Sequence, residues 1–171
     1  LNNLSMISPN GKTVALLPMD CVNTQKGDGL ILKKELMEKH TLMGVMSLPD
    51  ELFYDSNTST VTCCIVVKAH VPHNENYKTY LGYWKNDGFV KRKWGRVDDK
   101  NLWSSKKKLW LDSYFNKKEI KELSTLKALK PDDEWCAEAY MKTDYEKLNE
   151  EDFEKTIKNF LSYKFINDKS Y

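Results

Sequence analysis

The chain has 171 residues, 40% of them hydrophobic and 30% charged, with a formal net charge of +2. That is enough apolar material for the core of one ordinary domain or somewhat more, and no run approaches the roughly 20 apolar residues that cross a bilayer. The opening LNNLSMISPNG has neither the basic start nor the unbroken apolar stretch of a secretory leader, so a cytoplasmic chain taken from inside a longer gene product is expected.

In chain order, Val14 to Pro18 reads as a buried strand. A loop follows, then an amphipathic helix from about Gly29 to His40, an apolar strand from Leu42 to Leu48, and a β-branched strand from Thr60 to Lys68. Strand, helix and strand at this spacing imply a right-handed parallel crossover in a sheet covered on both faces. The fold class is α/β with a mixed sheet: the Val14 and Leu42 strands parallel, the Thr60 strand antiparallel beside them. Two parallel strands do not make such a sheet alone, so further strands must come from downstream or from a larger protein.

Past His70 the composition shifts. In KTYLGYWKNDGFVKRKWGRVD, Asn86-Asp87-Gly88 separates two strand-like runs and predicts a hairpin within Tyr77–Val97, extending the sheet or standing as a satellite. WSSKKKLWLDSYFNKKEIKEL reads as helical, with a helix expected over Ser104–Phe115, and the weak alternation of EWCAEAYMKTDY reads as a strand. The last run predicts a helix over Glu150–Phe165. Asn149 would be its N-cap, acidic residues fill its first turn, and Phe153, Ile157, Phe160 and Leu161 line one face.

The charge is unevenly spread. From Leu81 to Lys130 there are fourteen lysines and arginines against six acidic residues, and from Pro131 to Tyr171 six against eleven. Within the basic block Lys91, Arg92, Lys93, Arg96, Lys106, Lys107 and Lys108 alternate with Trp84, Trp94, Trp103 and Trp110. Cations between flat rings suit a polyanion, with phosphates neutralised and bases stacked. The same pattern also describes a solvated face anchored by tryptophans in a small core beneath it.

Other chemical signals are sparse. Cys21, Cys63, Cys64 and Cys136 have no CxxC spacing and read as reduced and buried, with Cys63 and Cys64 facing opposite sides of one strand. Gly27-Asp28-Gly29 lacks the remainder of a phosphate loop and reads as a flexible connection. His70 and His73 could approach one another, while His40 ends a helix, where a partly protonated imidazole suits the dipole. Asp20 lies near the carboxyl end of a strand, where α/β folds place ligands, or caps a turn. No serine sits in a GxSxG elbow. Phe53 and Tyr54, in the loop PDELFY between two strands, are either a lid on the core or a stacking platform.

GKTVALLPMDCV, LKKELMEKH, TLMGVMSLP and above all LPDELFY with TSTVTCCIVVKAH resemble the later motifs of DNA adenine-N6 methyltransferases, in particular the modification subunit of type I restriction systems. KTYLGYWKNDGFVKRKWGRVD, DEWCAEAYMKTDY and the terminal helix are similar to a subgroup of those subunits. The resemblance implies later strands of a Rossmann-like methyltransferase sheet over residues 1–70. It implies a family-specific extension over 71–171, with a basic hairpin and helix and an acidic C-terminal helix. In the intact family enzyme the implied cofactor is S-adenosylmethionine and the substrate is adenine in duplex DNA.

The family's Asn/Asp-Pro-Pro-aromatic motif has no counterpart here, because Pro9, Pro18, Pro49, Pro72 and Pro131 include no adjacent pair. Its glycine-rich cofactor turn is absent too. By the family's order both belong upstream of Leu1. The resemblance therefore implies no catalytic or cofactor-binding residue in this chain, no metal site, and no cofactor bound to it alone. It implies Phe53 or Tyr54 as a base-stacking residue and the seven basic residues above as DNA-backbone contacts. The implied partners are duplex DNA, specificity and restriction subunits, the upstream half of the methyltransferase and a second copy, with no membrane. A non-catalytic interaction module is the competing expectation.

Overall fold

The structure, a computed structural model, describes residues 2–50, 52–53, 60–141 and 150–167. Residues 1–141 and 142–171 form two compact units, treated separately below.

In the first unit a short helix α1 (Asn2–Ser5) leads into β1 (Lys12–Pro18), a turn of helix α2 (Asp20–Asn23) and the long helix α3 (Gly27–Lys39). β2 (Thr41–Ser47), β3 (Thr62–Lys68) and β4 (Lys78–Tyr83) follow, then the two-stranded β5 (Val90–Arg92) and β6 (Gly95–Val97), α4 (Trp103–Phe115) and β7 (Ser124–Ala128). The main sheet has the order β1-β3-β2-β4-β7. β3 is antiparallel to both β1 and β2, β2 is parallel to β4, and β4 is antiparallel to β7. β1 and β2 thus run the same way, as the crossover demands, but β3 is threaded between them.

The pattern of side chains follows from the register. Cys63, Ile65 and Val67 of β3 face one core with Leu42, Val45, Leu81, Val22, Met37 and Trp135. Cys64 and Val66 face the other, with Met46, Tyr80, Trp84 and Trp110. Leu42 and Val45 are three residues apart, which a regular strand would place on opposite faces. A bulge between Leu42 and Gly44 shifts the alternation and brings them together. Gly44 is required by close packing, since a Cβ there would lie 2.9 Å from the ring of Tyr114 in the helix above.

The first face is fastened by one charged side chain. Lys33 of α3 is almost fully buried. Its ammonium donates to the carbonyls of Val22 at 3.0 Å, Thr24 at 2.9 Å and Asp133 at 2.6 Å, and lies 4.5 Å from the centre of the Trp135 ring. Burial pulls its pKa down to about 8, opposed by Asp133 and its acidic neighbours. Three donors meet three carbonyls, so α2, α3 and the 130s segment are held together at one atom.

Some sequence expectations are corrected. Asn86-Asp87-Gly88 is not a hairpin turn: β4 joins the main sheet beside β2, and the small hairpin β5–β6 turns instead at Lys93-Trp94. The segment from Glu134 to Met141 is turns rather than a strand. The N–H of Trp135 goes to Val22 near α2, and the carbonyl of Ala137 accepts from Tyr140 and Met141, so these backbone groups are used in single contacts rather than in a ladder. Residues 142–145 of that expected strand, and the expected N-cap Asn149, lie outside the described residues. Cys21 is exposed, while Cys63 and Cys136 are buried. β7 is a strand without a sequence signal, because the run NKKEIKEL just before it reads as a continuation of the helix.

His40 is also corrected. It does end α3, its N–H donating to Leu36 at 2.8 Å, but it is buried and neutral rather than partly protonated. Its Nδ1 accepts the backbone N–H of His70 at 3.0 Å, which a protonated nitrogen could not do. Burial first, then His70 and Lys39, holds its pKa below the usual imidazole value. His70 stands edge-on to His40, at 5.5 Å between ring centres, whereas His73 packs against Tyr77.

The second unit is described by α5 (Glu150–Asn167), an 18-residue helix on which Phe153, Ile157, Phe160 and Leu161 are all exposed. No helix among the described residues is long and apolar enough to cross a membrane.

Two outcomes follow. Lys33→Met should lower the unfolding free energy by about 2–4 kcal/mol in urea titrations, because three inward carbonyls lose their donor; an unchanged midpoint would show that the ammonium is dispensable. Below about pH 6.5 the unfolded chain takes up protons that folded His40 and His73 resist, so stability should decline as pH falls from 7 towards 5. His40→Gln should flatten part of that slope, and a urea midpoint that rises on acidification contradicts the assignment.

Candidate nucleic-acid interface

The second core lies directly under the basic segment. Trp84 and Trp110 stack at 5.2 Å between ring centres with planes 10° apart, and Trp103 meets Trp110 edge-on at 5.7 Å. The Trp84 indole donates to the Tyr80 hydroxyl at 3.2 Å, and that hydroxyl is bonded to Ser113 of α4. Three of the four interleaved tryptophans are therefore anchors that fix α4 on the sheet, as the solvated-face reading expected. Trp94 is the exception, with 88% of its surface exposed.

The structure also sorts the seven basic residues. Arg96 makes a two-pronged ion pair with the buried Asp87, both contacts 2.9 Å, and its guanidinium lies 5.4 Å from the Phe89 ring centre. Asp87 accepts the N–H of Phe89 as well. Such a pair holds a loop in place and leaves little charge for a ligand. Arg92 is paired with Asp99. Lys93 lies over the ring of Trp94, 5.0 Å from its centre. Lys91 is exposed on β5.

Lys107 and Lys108 are exposed on α4, lining a shallow hollow of about 590 Å³ with Ser104, Leu111 and Phe115, while Lys106 is half buried. Hairpin base and helix adjoin: at Gly88, a Cβ would sit 2.8 Å from that of Leu102 and 3.6 Å from the Lys106 stem. Asp98 accepts the N–H groups of Leu102 at 2.8 Å and Trp103 at 3.0 Å, satisfying donors at the start of α4.

Phe53 follows the carboxyl end of β2 and is half buried; Tyr54 lies outside the described residues. Asp50, just after β2, belongs to a polar chain that sequence reasoning did not find. Lys85 donates to Asp50 at 2.7 Å and lies 3.9 Å from Glu138, which accepts the hydroxyl of fully buried Ser47 at 2.7 Å. These residues are far apart in sequence, so no spacing signals the network.

The stretches that the sequence offers as a ligand cradle do not form one. Gly27-Asp28-Gly29 is not a loose connection but the first turn of α3, and Gly29 is packed on Thr24, whose methyl carbon would lie 2.4 Å from an added Cβ. Asp20 is exposed and its carbonyl accepts the N–H of Thr24. Among the described residues, no group of three or more His, Cys, Asp or Glu is placed to hold a metal ion.

The chain belongs to the N-6 DNA Methylase family, whose pattern it matches over residues 1–169. It is 28% identical to the type II restriction enzyme and methyltransferase RM.BcgI of Heyndrickxia coagulans, over 98% of this chain and 26% of that protein. The chain thus spans about a quarter of that relative's length. Its fold is similar to a chain solved in work on complex assembly and conformational transition of a type I restriction–modification system. That match has a TM-score of 0.58 and 18% identity, over 95% of this chain and 37% of the other. It is also similar to a crystal structure described as the modification subunit of a candidate type I restriction enzyme from Vibrio vulnificus YJ016. There the TM-score is 0.53 and the identity 13%, over 80% of this chain and 28% of the other. The mixed α/β sheet with its small hairpin is therefore a methyltransferase-type fold.

A division of labour among the basic residues follows from these contacts. Arg96→Gln should lower the melting temperature by several degrees, since it leaves the Asp87 carboxylate buried and unpaired. An unchanged melting temperature would mean that Arg96 is spare for a ligand.

Proposed function

We propose that the chain is part of a type I-like restriction–modification methyltransferase that methylates adenine in duplex DNA with S-adenosylmethionine, and that it contributes DNA-contact and subunit-contact surface. On this reading residues 1–70 supply later strands of the methyltransferase core and residues 71–171 the extension. The Asn-Pro-Pro-aromatic motif and cofactor turn come from polypeptide outside these 171 residues, and the chain alone is inactive and binds no cofactor. Phe53 or Tyr54 faces the flipped base, which needs a flat surface to stack on. Lys91, Lys93, Lys107 and Lys108 set the register on phosphates, while Arg92, Arg96 and Lys106 shape the surface that carries them. Specificity and restriction subunits of the same system, the upstream half of the methyltransferase and a second copy are the protein partners.

The observation that carries this reading is the state of β1 in a family member that lacks the catalytic motif. β1 is an edge strand, with Val14 and Leu16 respectively 64% and 55% exposed on the face where their neighbours on β3 are covered. The exposed row of β1 reads Lys12, Val14, Leu16 and Pro18, so between one charge at its start and a proline at its end two bare aliphatics are left for another segment to cover.

The second reading, a non-catalytic interaction module, is favoured by α5. Its row of exposed phenylalanine, isoleucine and leucine behind an acidic first turn suits a groove on another protein.

Tritiated-methyl transfer to duplex DNA should be absent with the chain alone, and turnover would refute the assignment. Binding to non-specific duplex should weaken steeply with salt, and Lys107→Ala or Lys108→Ala should each reduce the log–log slope by about 1. Absence of binding at low salt would favour the interaction module.

A further inference from the structure

Trp94 is the outlier of the molecule. Trp84, Trp110 and Trp135 are at most 9% exposed and Trp103 is half buried, whereas Trp94 projects from the turn of the β5–β6 hairpin with 88% of its surface in solvent. Leaving an indole in water forgoes one of the largest burial gains a side chain can make. The hairpin that carries it is nonetheless fixed at its base. Arg96 grips Asp87 and rests on Phe89, Phe89 meets Trp103 edge-on at 6.0 Å, and Arg92 is paired with Asp99.

The turn itself depends on Gly95, whose φ of +120° is open to glycine and strained for other residues. The base is therefore held by ion pairs while the tip presents a flat apolar ring with a lysine beside it. Lys93, in the turn, lies over the ring and Lys91 is exposed on β5 just before it, with Lys107 and Lys108 on the adjoining helix. This combination matches a nucleic-acid base flanked by phosphates: the ring offers a stacking face, and the ammonium groups meet the backbone on either side.

We propose that Trp94 is a base-stacking residue, inserted by the hairpin against an unpaired or unstacked base while Lys91 and Lys93 contact neighbouring phosphates. The assignment rests on the reading of the basic surface as a DNA contact and adds to it a residue that no backbone contact requires.

The probes are two labelled duplexes of one sequence, fully paired or carrying one bulged base, titrated with the 171-residue chain at low salt. Anisotropy reports binding and tryptophan emission reports stacking. Because the other tryptophans are packed in cores, quenching on binding should come from Trp94. The bulged duplex should bind more tightly and quench the emission. Trp94→Ala should abolish the quenching and weaken binding to the bulged duplex roughly five- to hundredfold, with the salt slope unchanged, while Trp94→Phe should keep part of the preference. Equal binding of both duplexes by wild type and Trp94→Ala, with a normal salt slope, would overturn the stacking role and leave the phosphate reading standing. Quenching that persists in Trp94→Ala would overturn it too. Absence of binding to either duplex would remove both, and would point to a protein partner for the exposed ring.

Discussion

The molecule is organised by β3, the strand that lies between two others and is antiparallel to both. Its seven residues supply backbone partners to β1 on one side and β2 on the other, and its side chains alternate between the two cores. A slip of one residue would exchange Cys63, Ile65 and Val67 for Cys64 and Val66 and mismatch both faces at once. The bulge in β2 is the accommodation that lets Leu42 and Val45 share a face across from this fixed row. Everything else is laid onto that frame: α3 and the 130s segment on one side through Lys33, α4 on the other through a wall of aromatic rings.

The basic surface is best understood from what lies beneath it. Two arginines that look like ligands in the sequence are engaged by aspartates, and three tryptophans that look like stacking platforms are core. What the fold leaves outside is narrower: a hairpin tip and one face of a helix. A two-pronged, largely buried pair such as Arg96–Asp87 is costly to break, and it fixes the direction in which a short hairpin projects. Structure at the base and exposure at the tip are thus two results of the same contacts.

Much of this was legible beforehand, for identifiable reasons. The strands Val14–Pro18, Leu42–Leu48 and Thr60–Lys68 announced themselves by apolar and β-branched runs, and the three long helices by their spacing. The family resemblance rested on the same segments, and the family match bears it out. The misreadings share a cause. Asp87-Gly88 was a sound local turn signal, but the Asp87 carboxylate is committed to Arg96 and Phe89, so the chain bends there without pairing its flanks. The alternation around Trp135 came from single residues dipping into a core. The Lys85–Asp50–Glu138–Ser47 chain joins residues up to 91 apart, a proximity that only the folded sheet creates. Which tryptophan would be left outside was likewise beyond any spacing rule.

The central physical claim is that β1 is an open edge, paired on one side only among the described residues, in a chain that spans about a quarter of the length of a relative. Amide hydrogen exchange resolved by residue tests it most directly. Amides of Cys63–Val67 on β3 should exchange slowest, and on β1 those directed away from β3 should exchange at least a hundredfold faster than those facing it. Uniformly slow exchange along β1, matching β3, would contradict the account, because it would mean that the edge is already covered within the 171 residues.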